Sequence, residues 1–194
     1  MAESRSALAT HLHPGRHGAG SHAPELVLGE APMGKLLQLS GWPDSFQRAG
    51  EAVMLSFGFA GIGAFGVVQE AGEALAFRCA PERVLLHLPP DIAAPLVDPA
   101  LTPLLDLSHS RTRITIAGGQ ASGLLVRVLP IDLDETVFPP GHFAQTGLHG
   151  AGVLLHRRVD RFDIYVPRSY AVSVWRMLCE NAQGFGYLVS GPAT

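Results

Sequence analysis

The sequence predicts an α+β protein made of two pseudo-repeated halves, each running strand, helix, hairpin, helix. Three observations lead there. In the stretch 106–119, Ile114 and Ile116 alternate with Arg113, Thr115 and Ala117, the period of a half-buried strand, and Gly118-Gly119 closes it. Leu124, Leu125, Val128 and Leu129 then fall at helical spacing. Second, one offset occurs twice: residues 35–41 align with 113–119, and 83–89 with 161–167, 78 positions apart in both cases. Third, two apolar hairpins are legible, 74–79 with 83–88 across Ala80-Pro81-Glu82, and 153–156 with 162–166. One such half leaves a sheet face bare, so the two are expected to pack together. The expected organisation is an extended arm over 1–24, a first half over 25–103 and a second over 104–194.

The remaining elements follow in order. Residues 1–24 are rich in His, Gly, Ser and Ala with no periodicity, an arm without a core, expected to lie extended on a partner or to be disordered. Its His11, His13, His17 and His22 have no Cys or carboxylate pattern beside them, so no metal site is expected. Strand-like runs at 26–28 and 35–39 flank a turn at Ala31-Pro32-Met33-Gly34. Pro43 suits the first turn of a helix that buries Phe46, Ala49, Val53 and Met54. Gly61, Gly63 and Gly66 spell GxGxxG, but a helix precedes them and strand-like residues follow. A dinucleotide fingerprint needs the reverse context. A short helix is expected at 91–96, ended at Pro95. In the last helix, Ser169 is the expected N-cap, Gly184 the stop, and Ala171, Val174, Trp175, Leu178 and Ala182 the buried face.

Composition narrows the function. The chain has 194 residues, 47% of them hydrophobic and only 16% charged, with a net charge of −3. Soluble chains carry roughly 25% charge, so part of the surface is expected to be covered by another protein. No basic stripe points to nucleic acid. No apolar run reaches the ~18 residues of a membrane span, and no leader pattern is expected at the N-terminus. Cys79 and Cys179 stand apart, as reduced thiols of a cytoplasmic protein do. Ser108-His109 are sequence neighbours without a Gly-x-Ser-x-Gly turn, and Asp132, Asp134 and Glu135 sit in a loop after Pro130. No catalytic, cofactor-binding or metal-ligating set is expected.

Asp106-Leu107-Ser108-His109, then a strand, glycine and a Leu-Leu helix, is similar to the opening motif of the glycine-cleavage T-protein (aminomethyltransferase) superfamily. That family continues to a Gly-Gly-x-x-Asp-Asp segment whose carboxylate works at folate. Here the corresponding residues are Ala151-Gly152-Val153-Leu154-Leu155-His156, with Leu155 and His156 in place of the acids. The chain also lacks the length for that family's further C-terminal barrel. One branch matches more closely. Arg5-Ser6-Ala7-Leu8, His13-Pro14-Gly15-Arg16-His17-Gly18, Asp106 through Ser108, His109 and Arg111, Phe138-Pro139 through Gln145-Thr146, and Tyr165-Val166-Pro167-Arg168 resemble the sarcosine oxidase gamma-subunit family, in order. The resemblance implies a subunit beside alpha, beta and delta chains, which hold the flavins, NAD, folate and zinc. It implies a complex that oxidises sarcosine to glycine, with hydrogen peroxide and formaldehyde or 5,10-methylenetetrahydrofolate as products. His13, Arg16 and His17 are then partner-contact candidates. The alternatives are a free-standing folate-binding aminomethyltransferase-like protein, or a gamma-type subunit of a complex acting on another N-methyl amino acid.

Overall fold

A computed structural model describes residues 6–19 and 25–191. Arg5, His22 and Pro24 of the predicted arm lie outside the described residues. The fold is α+β with two sheets and few helices. It divides into two compact units, one made of residues 1–32 and 109–194, the other of Met33–Ser108.

The second unit holds β3 (Lys35–Ser40), α1 (Pro43–Ser56), β4 (Val68–Ala71), β5 (Ala74–Ala80), β6 (Arg83–Leu88) and β7 (Leu104–Asp106). Its strands form an antiparallel sheet in the order β4-β5-β6-β3-β7. Pro43 opens α1, as expected, because its missing N–H is one the first turn cannot satisfy anyway. Phe46, Val53 and Met54 of α1 pack on Leu37, Leu39, Ala74, Ala76, Val84 and Leu86 of the sheet. Gly50, rather than Ala49, is the fourth fully buried position of the helix. The GxGxxG letters form a loop after α1 that leads into a strand.

The first unit holds β1 (Gly15–His17), β2 (Val27–Ala31), β8 (Arg111–Ala117), α2 (Ala121–Leu125), β9 (His142–Leu148), β10 (Ala151–Arg157), β11 (Arg161–Pro167), α3 (Ala171–Ala182) and β12 (Tyr187–Val189). Its seven strands run β1-β12-β2-β8-β11-β10-β9, antiparallel except for β12 beside β2. Ile114 and Ile116 of β8 join Leu124 and Leu125 of α2 and Val174, Trp175 and Leu178 of α3 in one core. Gly118 ends β8 with φ +100°, and a Cβ there would stand 2.2 Å from the Glu25 carbonyl oxygen. Glycine is needed at that point for both reasons.

In each unit a strand leads to a helix and then to three strands, the last returning beside the first: β3, α1, β4-β5-β6 and β8, α2, β9-β10-β11. Residues 35–40 and 113–117, and 83–88 and 161–166, 78 apart, sit on corresponding strands. Several expectations are corrected. Residues 91–96 are irregular, since Pro89, Pro90 and Pro95 leave no stretch long enough to repay helix nucleation. Each hairpin is preceded by a third strand. The divisions at 25 and 103 also differ from the structure: β2 pairs with β8, whereas β7 pairs with β3. Ser169 lies in a 3₁₀ turn, Arg168–Tyr170, which runs straight into α3, so Tyr170 takes the cap position without a side-chain cap bond. After α3 the left-handed glycine is Gly186, φ 67°, rather than Gly184.

The largest correction concerns the arm. Leu8 is fully buried in the core of the first unit. A turn holds it, with Leu12 N–H donating to the Leu8 carbonyl at 2.9 Å. The Trp175 Nε1–H donates to the His11 carbonyl at 3.2 Å, β1 pairs with β12, and His17 stacks on Tyr187 at 5.2 Å. Residues 6–19 are therefore held by their own chain. One leucine amid small polar residues supplies the anchor. Leu8→Ala is expected to cost about 2–4 kcal/mol, measured by equilibrium denaturation; an arm that only rests on a partner would show no loss.

Candidate functional site

Alternation along β8 sends Ile114 and Ile116 toward the helices and Arg113 and Thr115 to the other sheet face. There Arg113 stands opposite Tyr165 and Thr115 opposite Asp163 on β11. Tyr165 and Asp163 in turn face Leu154 and His156 on β10, which face Gln145 and Phe143 on β9. Two rungs thus carry a polar group of unusual burial: Asp163, His156 and Tyr165 are each 0% exposed.

An ionised carboxylate in such a place needs opposite charge. The Arg161 Nε–H donates to Asp163 Oδ1 at 2.9 Å, while guanidinium nitrogens of Arg158 and Arg113 lie 3.7 and 3.9 Å from Oδ2. Arg113 also hydrogen-bonds the Tyr165 phenol, whose pKa is pushed up, chiefly by burial. Burial first, and the three arginines after it, push the His156 imidazole down to about 4, against the opposing pull of Asp163. His156 is therefore neutral near pH 7. Asp163 Oδ1 accepts the Arg161 hydrogen bond, whereas Oδ2 accepts none and faces the other two guanidiniums at ion-pair distance, so positive charge from three places surrounds the carboxylate within the sheet.

The residues singled out from sequence separate into structural roles. Asp106 Oδ1 accepts from the Ser108 N–H at 2.8 Å and from the Ser108 hydroxyl at 2.6 Å. Ser108 Oγ accepts the Leu36 N–H at 3.1 Å, so this motif ties the end of β7 to the start of β3. Ser108 belongs to the second unit and His109 to the first. Arg111 and Pro167 are brought together as cross-strand partners, and Arg111 donates to the Tyr165 carbonyl at 3.3 Å. Gln145 and Thr146 lie in β9, opposite Leu154 and Val153. Leu155 is fully buried in the helix-side core. The loop acids shape turns: Asp134 accepts from Thr136 N–H and hydroxyl, and those bonds hold its carboxyl below the usual range. Arg157 donates to the Leu133 and Phe138 carbonyls and so fastens that loop. Among the described residues no His, Cys, Asp and Glu cluster has metal-holding geometry, and no helix is long and apolar enough to cross a membrane. Cys79 and Cys179 form no disulfide and are half-buried.

Sequence reading missed Asp163 and its arginines. The available signal was a charge inside an apolar strand, Phe162-Asp163-Ile164, two places from Arg161.

No protein-family model and no curated protein matches the chain. Solved structures do, and they show the fold. Glycine cleavage system aminomethyltransferase T from Bartonella henselae superposes with TM-score 0.57 and 15% identity over 87% of this chain. The match spans only 48% of the aminomethyltransferase, about half its length. The fold is thus the one found in part of a T-protein. A chain of heterotetrameric sarcosine oxidase from Corynebacterium sp. U-96, solved in complex with pyrrole 2-carboxylate, matches more fully. The TM-score is 0.74 and the identity 23%, over 92% of this chain and 94% of that one.

The buried cluster makes two expectations. Asp163→Ala should cost about 3–5 kcal/mol, because three guanidiniums then lose their counter-charge. The unfolded chain gains a proton on His156 near its ordinary 6.5, whereas the folded chain does so only near 4. This contribution is therefore intact above 6.5 and falls by about 3 kcal/mol as pH drops to 4. In denaturation series at stepped pH, His156→Gln should flatten that part of the profile; an unchanged slope rejects the assignment.

Proposed function

We propose that this chain is a non-catalytic gamma-type subunit of heterotetrameric sarcosine oxidase. It would support oxidative demethylation of sarcosine to glycine without taking part in the chemistry. The observation that carries the reading is near end-to-end agreement with a chain of such a complex, set against half-length agreement with the aminomethyltransferase. The site chemistry agrees. Leu155 is core, His156 is buried and neutral, and Asp163 is bound by arginines, so no acid–base pair is in place for work on folate.

Surface composition supports a partnered chain. Within the second unit, Trp42, Leu55 and Leu96 are exposed by 64%, 61% and 105%. A low-charge chain that leaves such residues in water gains by association. Alpha, beta and delta chains are the proposed partners, and flavins, NAD, folate and zinc are assigned to them. Of the arm candidates, Arg16 is the best placed for partner contact, since His13 and His17 line a cavity of their own unit. We also read the shared strand progression of the two units as a duplicated design, and the two cysteines outside any disulfide as those of a cytoplasmic protein.

The free-standing folate-binding alternative keeps the fold but needs a carboxylate that reaches solvent. A complex acting on another N-methyl amino acid is distinguished by substrate profile. Co-expressed with alpha, beta and delta chains, this chain should purify in equimolar complex and oxidise sarcosine. Alone it should consume no oxygen with sarcosine and transfer no methylene to tetrahydrofolate. Turnover by the isolated chain above the blank would overturn the reading, as would full assembly and activity without it.

A further inference from the structure

Within the second unit, a groove of about 260 Å³ runs between α1 and the irregular segment that joins β6 to β7. Ala49, Ala52, Val53 and Ser56 form its helical wall, at i, i+3, i+4 and i+7. Pro95, Leu96 and Leu101 form the facing wall, and Asp98 adds a carboxylate to the lining. Small side chains at 49, 52 and 56 let a second helix come close.

The facing segment is fastened in place. Ile92 and Val97 pack on the core of the unit. The Trp42 indole N–H donates to the Ala100 carbonyl at 3.1 Å, and the Ser45 hydroxyl to the Leu101 carbonyl at 3.4 Å. Between these ties Leu96 turns fully outward, next to the half-buried Val97. Leu55, three residues on from Ala52, is exposed as well. Removing two leucines from water is a gain that this unit leaves to an outside surface.

Charge selects the occupant. Residues 33–108 hold eight carboxylates against four cations, whereas the rest of the chain holds nine against ten. Two of the four cations are engaged by carbonyls: Lys35 donates to Ile92, and Arg78 to Gly63 and Pro81. On the two elements that form the groove, Asp44, Glu51 and Asp98 outnumber Arg48. None of those three acids has a cation at ion-pair distance among the described residues. Two copies meeting by this face would set like charges together, whereas a chain that carries cations would not.

From this we propose that the groove beside α1 receives a basic amphipathic helix of a partner chain. Its apolar stripe would lie on Ala52 and Leu96, and its lysines or arginines would face Asp44, Glu51 and Asp98. This assignment rests on the reading of the chain as a subunit and names the face by which it is held.

Two measurements on the full chain test it. The first uses a fluorescein-labelled Leu/Lys peptide of about 14 residues, the length of α1, with leucines at helical spacing. Fluorescence anisotropy should show saturable binding, and the same peptide with Glu for Lys should bind at least about tenfold more weakly. Leu96→Ser should weaken the lysine peptide about tenfold without moving the thermal transition. Val159→Ser, at an exposed apolar residue of the other unit, should leave binding as it is. The second is co-expression with alpha, beta and delta chains, in which Ala52→Arg should lower recovery in the complex about tenfold. If the unaltered chain does not assemble, the subunit reading falls, and the peptide measurement still decides the groove. Assembly of Ala52→Arg at the level of the unaltered chain, equal binding of the two peptides, unchanged affinity of Leu96→Ser, or a dimer of this chain that Leu96→Ser abolishes would each overturn the proposal.

Discussion

A carboxylate with no access to water sits in the middle of the large sheet, and much of the first unit follows from the need to neutralise it. Asp163 lies on β11 between β8 and β10. Its guanidiniums come from three places: β8, the β10–β11 turn and β11 itself. Those groups converge only if β8 and β11 keep their observed register. A slip by one residue would turn Asp163 into the apolar core beside α2 and α3 and bring Ile164 to the other face. The hydrophobic pattern would resist that slip as well, so packing and charge specify one pairing. By itself a buried ion pair is weak evidence of net stability, since desolvation cancels much of the attraction. Its effect here is on uniqueness: few alternative pairings satisfy both the arginines and the isoleucines.

The same network explains what the sequence could disclose and what it could not. Ile114 and Ile116 announce their strand because alternation is local, and the two hairpins and α1 are local for the same reason. The offset of 78 was legible because residues 35–41 and 113–119, and 83–89 and 161–167, carry similar local patterns. Which strand lies beside which is not local. Residues 26–28 read as a strand, but nothing near them says that β2 pairs with β8 while β3, a few residues on, pairs with β6. Arg113 and Asp163 are fifty positions apart, so their ion pair becomes visible only once β8 and β11 are neighbours. Arm residue Leu8 was illegible for a further reason: one apolar side chain in a segment of His, Gly and Ser has no period, although its burial joins that segment to the core.

Motif and chemistry part company in this chain. The Asp106-x-Ser108 pair, which by its letters invites a catalytic reading, is a hydrogen-bonded turn that satisfies the Leu36 amide. Arg111 and Pro167, from separate motif blocks, meet as partners across β8 and β11. In this chain both pairs serve the backbone arrangement. On β10, Leu155 faces the helices and His156 faces Asp163. A backbone arrangement and a reacting group place different demands on a chain, because the second needs a side chain left available to a ligand.

That separation also bears on where new function can arise. The interior of the large sheet is committed: a change at Asp163 alters the balance of buried charge, and one at Tyr165 or His156 disturbs a buried polar group beside it. The arm is not so constrained. It is fixed at a few points, namely Leu8, the Trp175–His11 bond and the short β1–β12 ladder. Between these points its side chains point into a cavity or outward at little cost to the core. Polar groups placed there, such as His11 and His13 beside Arg176, meet solvent without paying the desolvation that Asp163 requires. A scaffold whose central sheet is locked by ion pairs, and whose edge is covered by a loosely specified strap, can change its edge surface while its register stays the same.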